Sequence, residues 1–367
     1  MKTSRYLVIL FMFMMNSLLM AQEEQNDAQS VQVQTLKATS KYDFIPGETV
    51  IFYDDFSQDL PGDYPPLWNT DGSGEIVTLN NYPGKWLQPG SDCSQIPLIK
   101  KDFPDNYTVE FDVVPLPGSN GEESIQFGFY IYGALNPDDF NEGGAIPGVG
   151  GIKFTFGSYT QYYSTYNEGA YVADAAVDKN LFMINQKVRL SFTVQKTRIR
   201  AFINDVKVFD VAKAMFPDVK YNVLRFITNS EAIPLISNFR FAVGAPDMRN
   251  KLITEGKLVT YGIYFDSGSD EIKPESAGTL KMISDILKEN PAVSITIVGH
   301  TDSDGDDTKN LDLSKRRAVS VKNILSGEYG IEASRLHTDG KGETVPVAPN
   351  TNSEGKAKNR RVELIKT

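Results

Sequence analysis

Between residues 44 and 245 the apolar side chains keep a period of two, and that period constrains the fold more than any other feature. Tyr107, Val109, Phe111 and Val113 alternate with Thr108, Glu110 and Asp112. In an extended strand the first set shares one face and the second set the other. Val188, Leu190, Phe192 and Val194 repeat the pattern. Ile199, Ala201 and Ile203 follow, then an Asn204-Asp205 turn, then Val206 and Val208. Long helical patterns do not occur in this stretch, and clusters of Gly, Pro, Asn and Asp punctuate it. We therefore expect an all-β sandwich of one domain. On this reading Glu110 and Asp112 belong to a solvated strand face.

Beyond residue 257 the texture changes to a compact α/β order. A strand is expected to end at Tyr264-Phe265, and Pro274 suits the first turn of a helix. Leu280, Ile283 and Leu287 give that helix an apolar stripe, and Pro291 stops it. The apolar run 293–298 reads as a short buried strand, followed by a loop rich in glycine and small polar residues. Ser314 or Asn310 caps the next helix, whose apolar positions are Ala318, Val321, Ile324 and Leu325. A strand near Leu336 and a last one over 361–365 complete a mixed sheet with helices on one face. Asp302 then sits on the loop leaving a strand, and Arg317 in the early part of the following helix. A carboxylate and a guanidinium at one sheet edge suit a ligand that carries both an amine and a carboxylate.

The same segment carries fixed marks: Ile263-Tyr264-Phe265-Asp266, Gly299-His300-Thr301-Asp302, Asn310, Leu313-Ser314, Arg316-Arg317-Ala318, Gly340, Gly342 and Asn359-Arg360-Arg361-Val362-Glu363. In that order they resemble the peptidoglycan-binding domain of OmpA, Pal and MotB proteins. The resemblance implies that Asp302 and Arg317 grip the diaminopimelate of the peptidoglycan stem peptide. It also places Asp266, Asn310, Arg360 and Thr301 in the site. The plain alternative is that Asp302 and Arg317 form only a salt bridge. The preceding region resembles a concanavalin- or laminin-G-like jelly roll. Phe52-Tyr53-Asp54-Asp55-Phe56, the strand pair at Asn204-Asp205, and the closing Leu235-Ile236-Ser237-Asn238-Phe239-Arg240-Phe241 carry that likeness. The chain is thus expected to be multidomain, a jelly-roll sandwich followed by an α/β (α+β) domain.

A sandwich of this kind can be a sugar hydrolase, which needs two carboxylates flanking the bond. Glu110-Phe111-Asp112-Val113 resembles the start of the Glu-x-Asp-x-x-Glu strand of β-glucanases, but Pro115 stands where the third carboxylate belongs. We expect no enzyme. Sugar binding without catalysis is the alternative, with Trp68, Trp86, Tyr159, Tyr162, Tyr163 and Tyr166 as stacking candidates. An envelope protein is the other candidate partner for this domain. The acidic loop 137–144 matches no fixed calcium loop, and His300 with Asp302 lacks further ligands for a metal. No cofactor or metal is expected, and His300 reads as a hydrogen-bonded structural residue. A membrane β-barrel in the middle region is a further alternative. It calls for strands of about 9–11 residues with an apolar outer face, whereas Arg198, Arg200 and Lys207 interrupt short strands here.

At the N-terminus, Lys2 and Arg5 precede an apolar run, and the segment ends at Leu19-Met20-Ala21, the layout of a secretory signal peptide over 1–21. No cysteine follows the expected cut, so lipoprotein anchoring is not expected. Residues 22–43 form a polar lead-in, 44–245 the sandwich, 246–256 a linker and 257–367 the last domain. Lys2 and Arg5 are the only charges in 1–21, so their removal takes the net charge from −10 to −12. Nucleic acid is therefore a poor partner, since its phosphates call for basic surface. Cys93 is the single cysteine, expected as a small buried residue. Export to the periplasm or outer membrane is the expected location.

Overall fold

The structure is a computed structural model that describes residues 42–99, 101–117, 125–143, 147–229, 232–244 and 247–367. The expected signal peptide and nearly all of the polar lead-in lie outside the described residues. The first part of the described chain supplies β1 (Thr49–Asp54), β2 (Trp68–Thr70), β3 (Gly74–Thr78), β4 (Lys85–Pro89) and β5 (Ser94–Pro97). Then come β6 (Asn106–Pro117), β7 (Gln126–Gly133), β8 (Gly150–Gly157), β9 (Thr160–Asn167) and β10 (Ala170–Asp178). Last are β11 (Val188–Gln195), β12 (Arg198–Ile203), β13 (Val206–Val211), β14 (Val223–Thr228) and β15 (Ala232–Val243). They form two sheets. The eight-stranded one runs β13-β12-β11-β6-β15-β4-β3, with β1 also paired to β15; the seven-stranded one runs β10-β9-β8-β7-β14-β5-β2.

The alternation seen in the sequence is the alternation of the core. Tyr107, Val109, Phe111 and Val113 of β6 and Val188, Leu190, Phe192 and Val194 of β11 enter one buried cluster. Across from them, Phe129, Ile131, Phe154 and Phe226 come from the seven-stranded sheet. Phe111 meets Phe226 at 4.8 Å between ring centroids and Phe129 meets Phe192 at 4.9 Å, within the range for favourable aromatic contact. Apolar positions turn inward onto one another, the reverse of a membrane barrel, whose apolar positions face lipid. The cations that interrupt these strands are paired: Arg198 with Asp210 at 2.6 Å, and Arg200 and Lys207 with Asp43 at 2.7 and 3.6 Å. The chain returns to its start as expected, with β15 antiparallel to β1 from Thr49↔Val243 to Asp54↔Phe239.

The outer face of the eight-stranded sheet corrects the sequence reading. Glu110 and Asp112 are not solvated: Glu110 is 0% exposed and Asp112 is buried. Alternation sends them away from the sandwich core, but the C-terminal domain covers that face. Arg189 bonds both carboxylates at 2.8 Å, and Arg240 bonds Glu110 at 2.7 Å. The Tyr264 hydroxyl of the C-terminal domain donates to Glu110, and its ring lies under the Arg189 guanidinium. Burial alone would raise both carboxyls, but Arg189, aided by Arg240 at Glu110, holds them below the usual range.

Segment 246–256, expected as a bare linker, carries helix α1 (Met248–Ile253), whose Met248 and Leu252 are buried in a second core. That core belongs to a four-stranded mixed sheet, β16 (Lys257–Thr260), β19 (Val362–Lys366), β17 (Ile295–His300) and β18 (Leu336–Gly342), in that spatial order. β17 is parallel to β18 and antiparallel to β19. Helices α2 (Ala277–Glu289) and α3 (Asp307–Gly327) pack Leu280, Ile283, Leu287, Ala318, Val321 and Leu325 into the same cluster as Ile295 and Ile297. Helix α4 (Ser353–Asn359) precedes β19. The first strand ends earlier than read, at Thr260, and Phe265 makes only an isolated bridge to Ile272.

Candidate functional site

The site forms where β17 ends. Gly299 has no Cβ for a reason: one placed there would sit 2.2 Å from the Ser314 carbonyl oxygen, so its absence lets α3 lie against the strand. The Thr301 amide donates to the Gly342 carbonyl at 2.9 Å, and the His300 amide to the Arg361 carbonyl at 3.0 Å. These bonds fix the backbone just before Asp302. The loop then closes on itself. Asp304 N–H donates to Asp302 Oδ1 at 3.2 Å, and Asn310 Nδ2 donates to the Asp304 carbonyl at 3.0 Å and to Glu343 at 2.7 Å.

Helix α3 starts earlier than the sequence reading placed it. Its N-cap is Asp306, whose carboxylate accepts from the Lys309 amide at 3.0 Å, the expected role of a short polar side chain there. Asn310 and Ser314 lie inside the helix; Ser314 Oγ instead accepts from the Gly342 amide at 2.9 Å. Arg317 is therefore half-way along α3 rather than near its start.

Asp302 is 8% exposed, and its partner is Arg360, not Arg317. Arg360 Nη1 donates to Asp302 Oδ2 at 2.6 Å. Arg317 donates from Nε to the Ser269 carbonyl at 2.9 Å and from Nη2 to the Asp266 carbonyl at 3.1 Å. Its guanidinium stacks over Phe265 at 4.7 Å. Burial pulls Arg317 down to about 10, against Asp302, which favours its charged form. A guanidinium has five N–H donors, so three remain beyond the two carbonyl bonds. Asp266 presents its backbone to Arg317 while its carboxylate, 64% exposed, meets Lys273 at 3.3 Å and Lys187 of the sandwich at 3.8 Å. Thr301 is buried, and among the described residues its hydroxyl has no hydrogen-bond partner.

Thus the loop that carries Thr301 and Asp302 is met by Arg360 from the end of α4 and closed by Asn310 of α3, while Arg317 bonds the backbone of Asp266 and Ser269. Sequence reasoning missed Lys356, which bonds Asp304 at 2.7 Å, and Glu343. It also missed Tyr53 and Asp55, which reach Arg360 from the sandwich. The Asn359-Arg360-Arg361 run divides its labour. Asn359 holds the Val347 and Ala348 amides, Arg361 pairs with Glu363, and only Arg360 reaches the site. His300, expected as a hydrogen-bonded structural residue, is buried, but among the described residues neither ring nitrogen has a hydrogen-bond partner; the Glu363 carboxylate lies at 3.6 Å.

The other candidates separate by burial. Trp68, Trp86 and Tyr163 are buried, while Tyr159 is exposed and Tyr162 and Tyr166 are half-buried. Among the described residues no cluster of three or more His, Cys, Asp or Glu is placed to hold a metal ion. Cys93 is buried but among polar atoms, with the Gly90 carbonyl 3.1 Å from its sulfur.

A sequence profile of the OmpA family matches residues 264–360, a span containing all six site residues. Outer membrane porin F of Pseudomonas aeruginosa is 42% identical over 111 residues, covering 30% of this chain and 32% of that protein. The probable lipoprotein YiaD of Escherichia coli is 44% identical over 102 residues, 28% of this chain and 46% of its own. The chain thus spans about a third to a half of these curated relatives. A crystal structure of the peptidoglycan-associated lipoprotein from Burkholderia pseudomallei aligns with 29% of this chain and 88% of its own, at 30% identity and a TM-score of 0.27. The matched profile and the motif residues agree, and the C-terminal domain of this chain is an OmpA family domain.

Proposed function

We propose that this is a non-catalytic cell-envelope protein that holds peptidoglycan non-covalently through its C-terminal domain and tethers the β-sandwich to the wall or outer membrane. The observation that carries the reading is a recessed carboxylate, Asp302, near enough to a separate stacked guanidinium, Arg317, to favour its charged form without bonding it. Diaminopimelate presents an ammonium and a carboxylate on one carbon. Asp302 accepts from the ammonium, and the remaining Arg317 donors take the carboxylate. Charge-assisted hydrogen bonds contribute about 1.5–3 kcal/mol each. The names of the relatives, outer-membrane and peptidoglycan-associated proteins, support the location and the ligand class.

The test is co-sedimentation of the chain from residue 22 onward with purified sacculi, alongside melting curves. Asp302→Ala and Arg317→Ala should each lower affinity on the order of tenfold to a hundredfold while still folding cooperatively, with Asp302→Ala also lowering the melting temperature because Arg360 loses a largely buried partner. Arg317→Lys should retain part of the binding, since an ammonium cannot reproduce the planar donor set. Folded variants that pellet as well as wild type would remove the mechanism.

For the sandwich we favour a concanavalin- or laminin-G-like jelly roll that serves as an interaction domain. The return of β15 onto β1 supports that class. A carbohydrate ligand is favoured by Tyr162, Tyr166 and Tyr171 on β9 and β10, where Tyr166 and Tyr171 meet edge to face and Tyr162 and Tyr171 both donate to Asp174. Hydrolysis is disfavoured, because Glu110 and Asp112 lie beneath the C-terminal domain, neutralised by arginines.

A further inference from the structure

One wall of the candidate site comes from the sandwich. β1 runs past α4, where the Ser353 hydroxyl donates to the Tyr53 carbonyl at 3.2 Å. This places the Tyr53 ring 5.3 Å from the Arg360 guanidinium and Asp55 Oδ2 3.4 Å from Nη2. The same guanidinium bonds Asp302 through Nη1. Arg360 thus lies between two carboxylates, one from each domain, and both are largely withdrawn from water.

Counting charge shows what the second carboxylate does. Asp302 and Arg360 alone make a neutral pair with little pull on an incoming ammonium. With Asp55 the trio carries a net charge of −1, and Arg360 has an anchor on the side away from Asp302. The opposite rim has the complementary arrangement. Lys187, also from the sandwich, and Lys273 stand at the exposed Asp266 carboxylate beside Arg317. They offset a negative charge that would repel a ligand carboxylate. The sandwich therefore adds an anion on the ammonium side and a cation on the carboxylate side.

We propose that the site is composite, resting on the diaminopimelate reading above, with Asp55 as a positioning residue that acts through Arg360 and Lys187 as its counterpart at the carboxylate end. Asp55 keeps Asp302 electrostatically open to the ammonium; Lys187 lowers the repulsion felt by the carboxylate. Ligand affinity then depends on the docked sandwich and not on the OmpA domain alone.

The experiment is calorimetric titration of the chain from residue 22 onward with meso-diaminopimelate and with its di-N-acetylated form, which keeps the carboxylates but loses the ammonium groups. For the free amino acid, Asp55→Asn should weaken binding about tenfold, as expected for one nearby charge at intermediate dielectric, and Asp55→Glu should restore most of it. For the acetylated form, Asp55→Asn should bind like wild type, whereas Lys187→Gln should weaken both ligands several-fold. Wild-type affinity in both Asp55→Asn and Lys187→Gln, or an equal loss for both ligands in Asp55→Asn, would overturn the composite site. Asp302→Ala is the control. If it alone loses the free amino acid, the diaminopimelate reading stands without the sandwich's part; if it binds like wild type, that reading falls first.

Discussion

His300 stands in the most recognisable motif of the chain, yet it faces the sheet and not the ligand. It is 3% exposed, and burial pulls its ring down to about 4; Arg361 and Lys257 push the same way, and Glu363 opposes them. The sign follows from linkage. Above pH 6.5 the ring is neutral in both folded and unfolded chains; between 6.5 and 4 the unfolded chain binds a proton that the folded one refuses. Stability therefore falls as pH drops through that window, by roughly 2 kcal/mol between pH 6.5 and 5 at about 1.36 kcal/mol per unit. Asp54, pushed up to about 7 by burial, takes up a proton in the folded state over the same range and works with the opposite sign. The clean measurement is a difference, urea melts of wild type and His300→Gln at pH 7 and pH 5. The wild type should lose about 2 kcal/mol more than the variant, and parallel losses would exclude a buried neutral ring. At this scale the place of Asp302, on the loop that leaves a strand, was legible. The pairing of Asp302 with Arg360 was not, because 58 residues separate them and local spacing carries no information about such contacts.

Strand alternation was legible because the sandwich core buries one face of strands such as β6 and β11, and a period of two then appears in the sequence itself. What covers the other face leaves no such trace. Thr108, Glu110 and Asp112 read as solvent-facing, although all three are buried, Thr108 against Gly47 and Glu110 against Tyr264 of the second domain. Helix starts were ambiguous for a related reason. The run from Thr301 to Asn310 offers several side chains able to cap, and only the loop's closure onto Gly342 and Glu343 selects Asp306. The contact of β17 with α3 gives a test at the level of elements. Gly299→Ala drives a methyl group into the Ser314 backbone, and a backbone cannot swing aside as a side chain can. Overpacking of this kind costs about 1–3 kcal/mol. It should also shift Arg317 relative to Asp302, so a lower melting temperature and weaker sacculus binding should appear together. Unchanged values for both would mean that the strand and helix are not held as closely as the structure shows.

The domains are joined by more than a linker. Tyr42 and Phe44 pack on Phe202 of the sandwich with Ala277 of α2 against them, and a Cβ at Gly278 would sit 2.2 Å from the Phe44 carbonyl oxygen. Beside this wedge, Glu110 accepts from Arg189, Arg240 and Tyr264, so one buried carboxylate joins two strands of the sandwich to a loop of the C-terminal domain. Removing one member of a buried ionic cluster is costly because the others stay desolvated without a partner; typical losses are about 3–5 kcal/mol. Glu110→Ala leaves Arg240 without a carboxylate partner and Arg189 with Asp112 alone, whereas Tyr264→Phe removes a single hydroxyl, so the first should destabilise far more than the second. Since Glu110 is held below the usual carboxylate range, its contribution is complete above the unfolded value near about 4.3 and is lost as pH falls below it. In calorimetry at pH 7 the wild-type chain should unfold in one transition, with the sandwich and the OmpA domain coupled through this cluster. Glu110→Ala should split that transition in two and, by loosening Tyr53 and Asp55 from Arg360, weaken diaminopimelate binding without touching any ligand contact. A variant that still melts once, at the wild-type temperature and with wild-type affinity, would show that the two domains neither stabilise each other nor share the site.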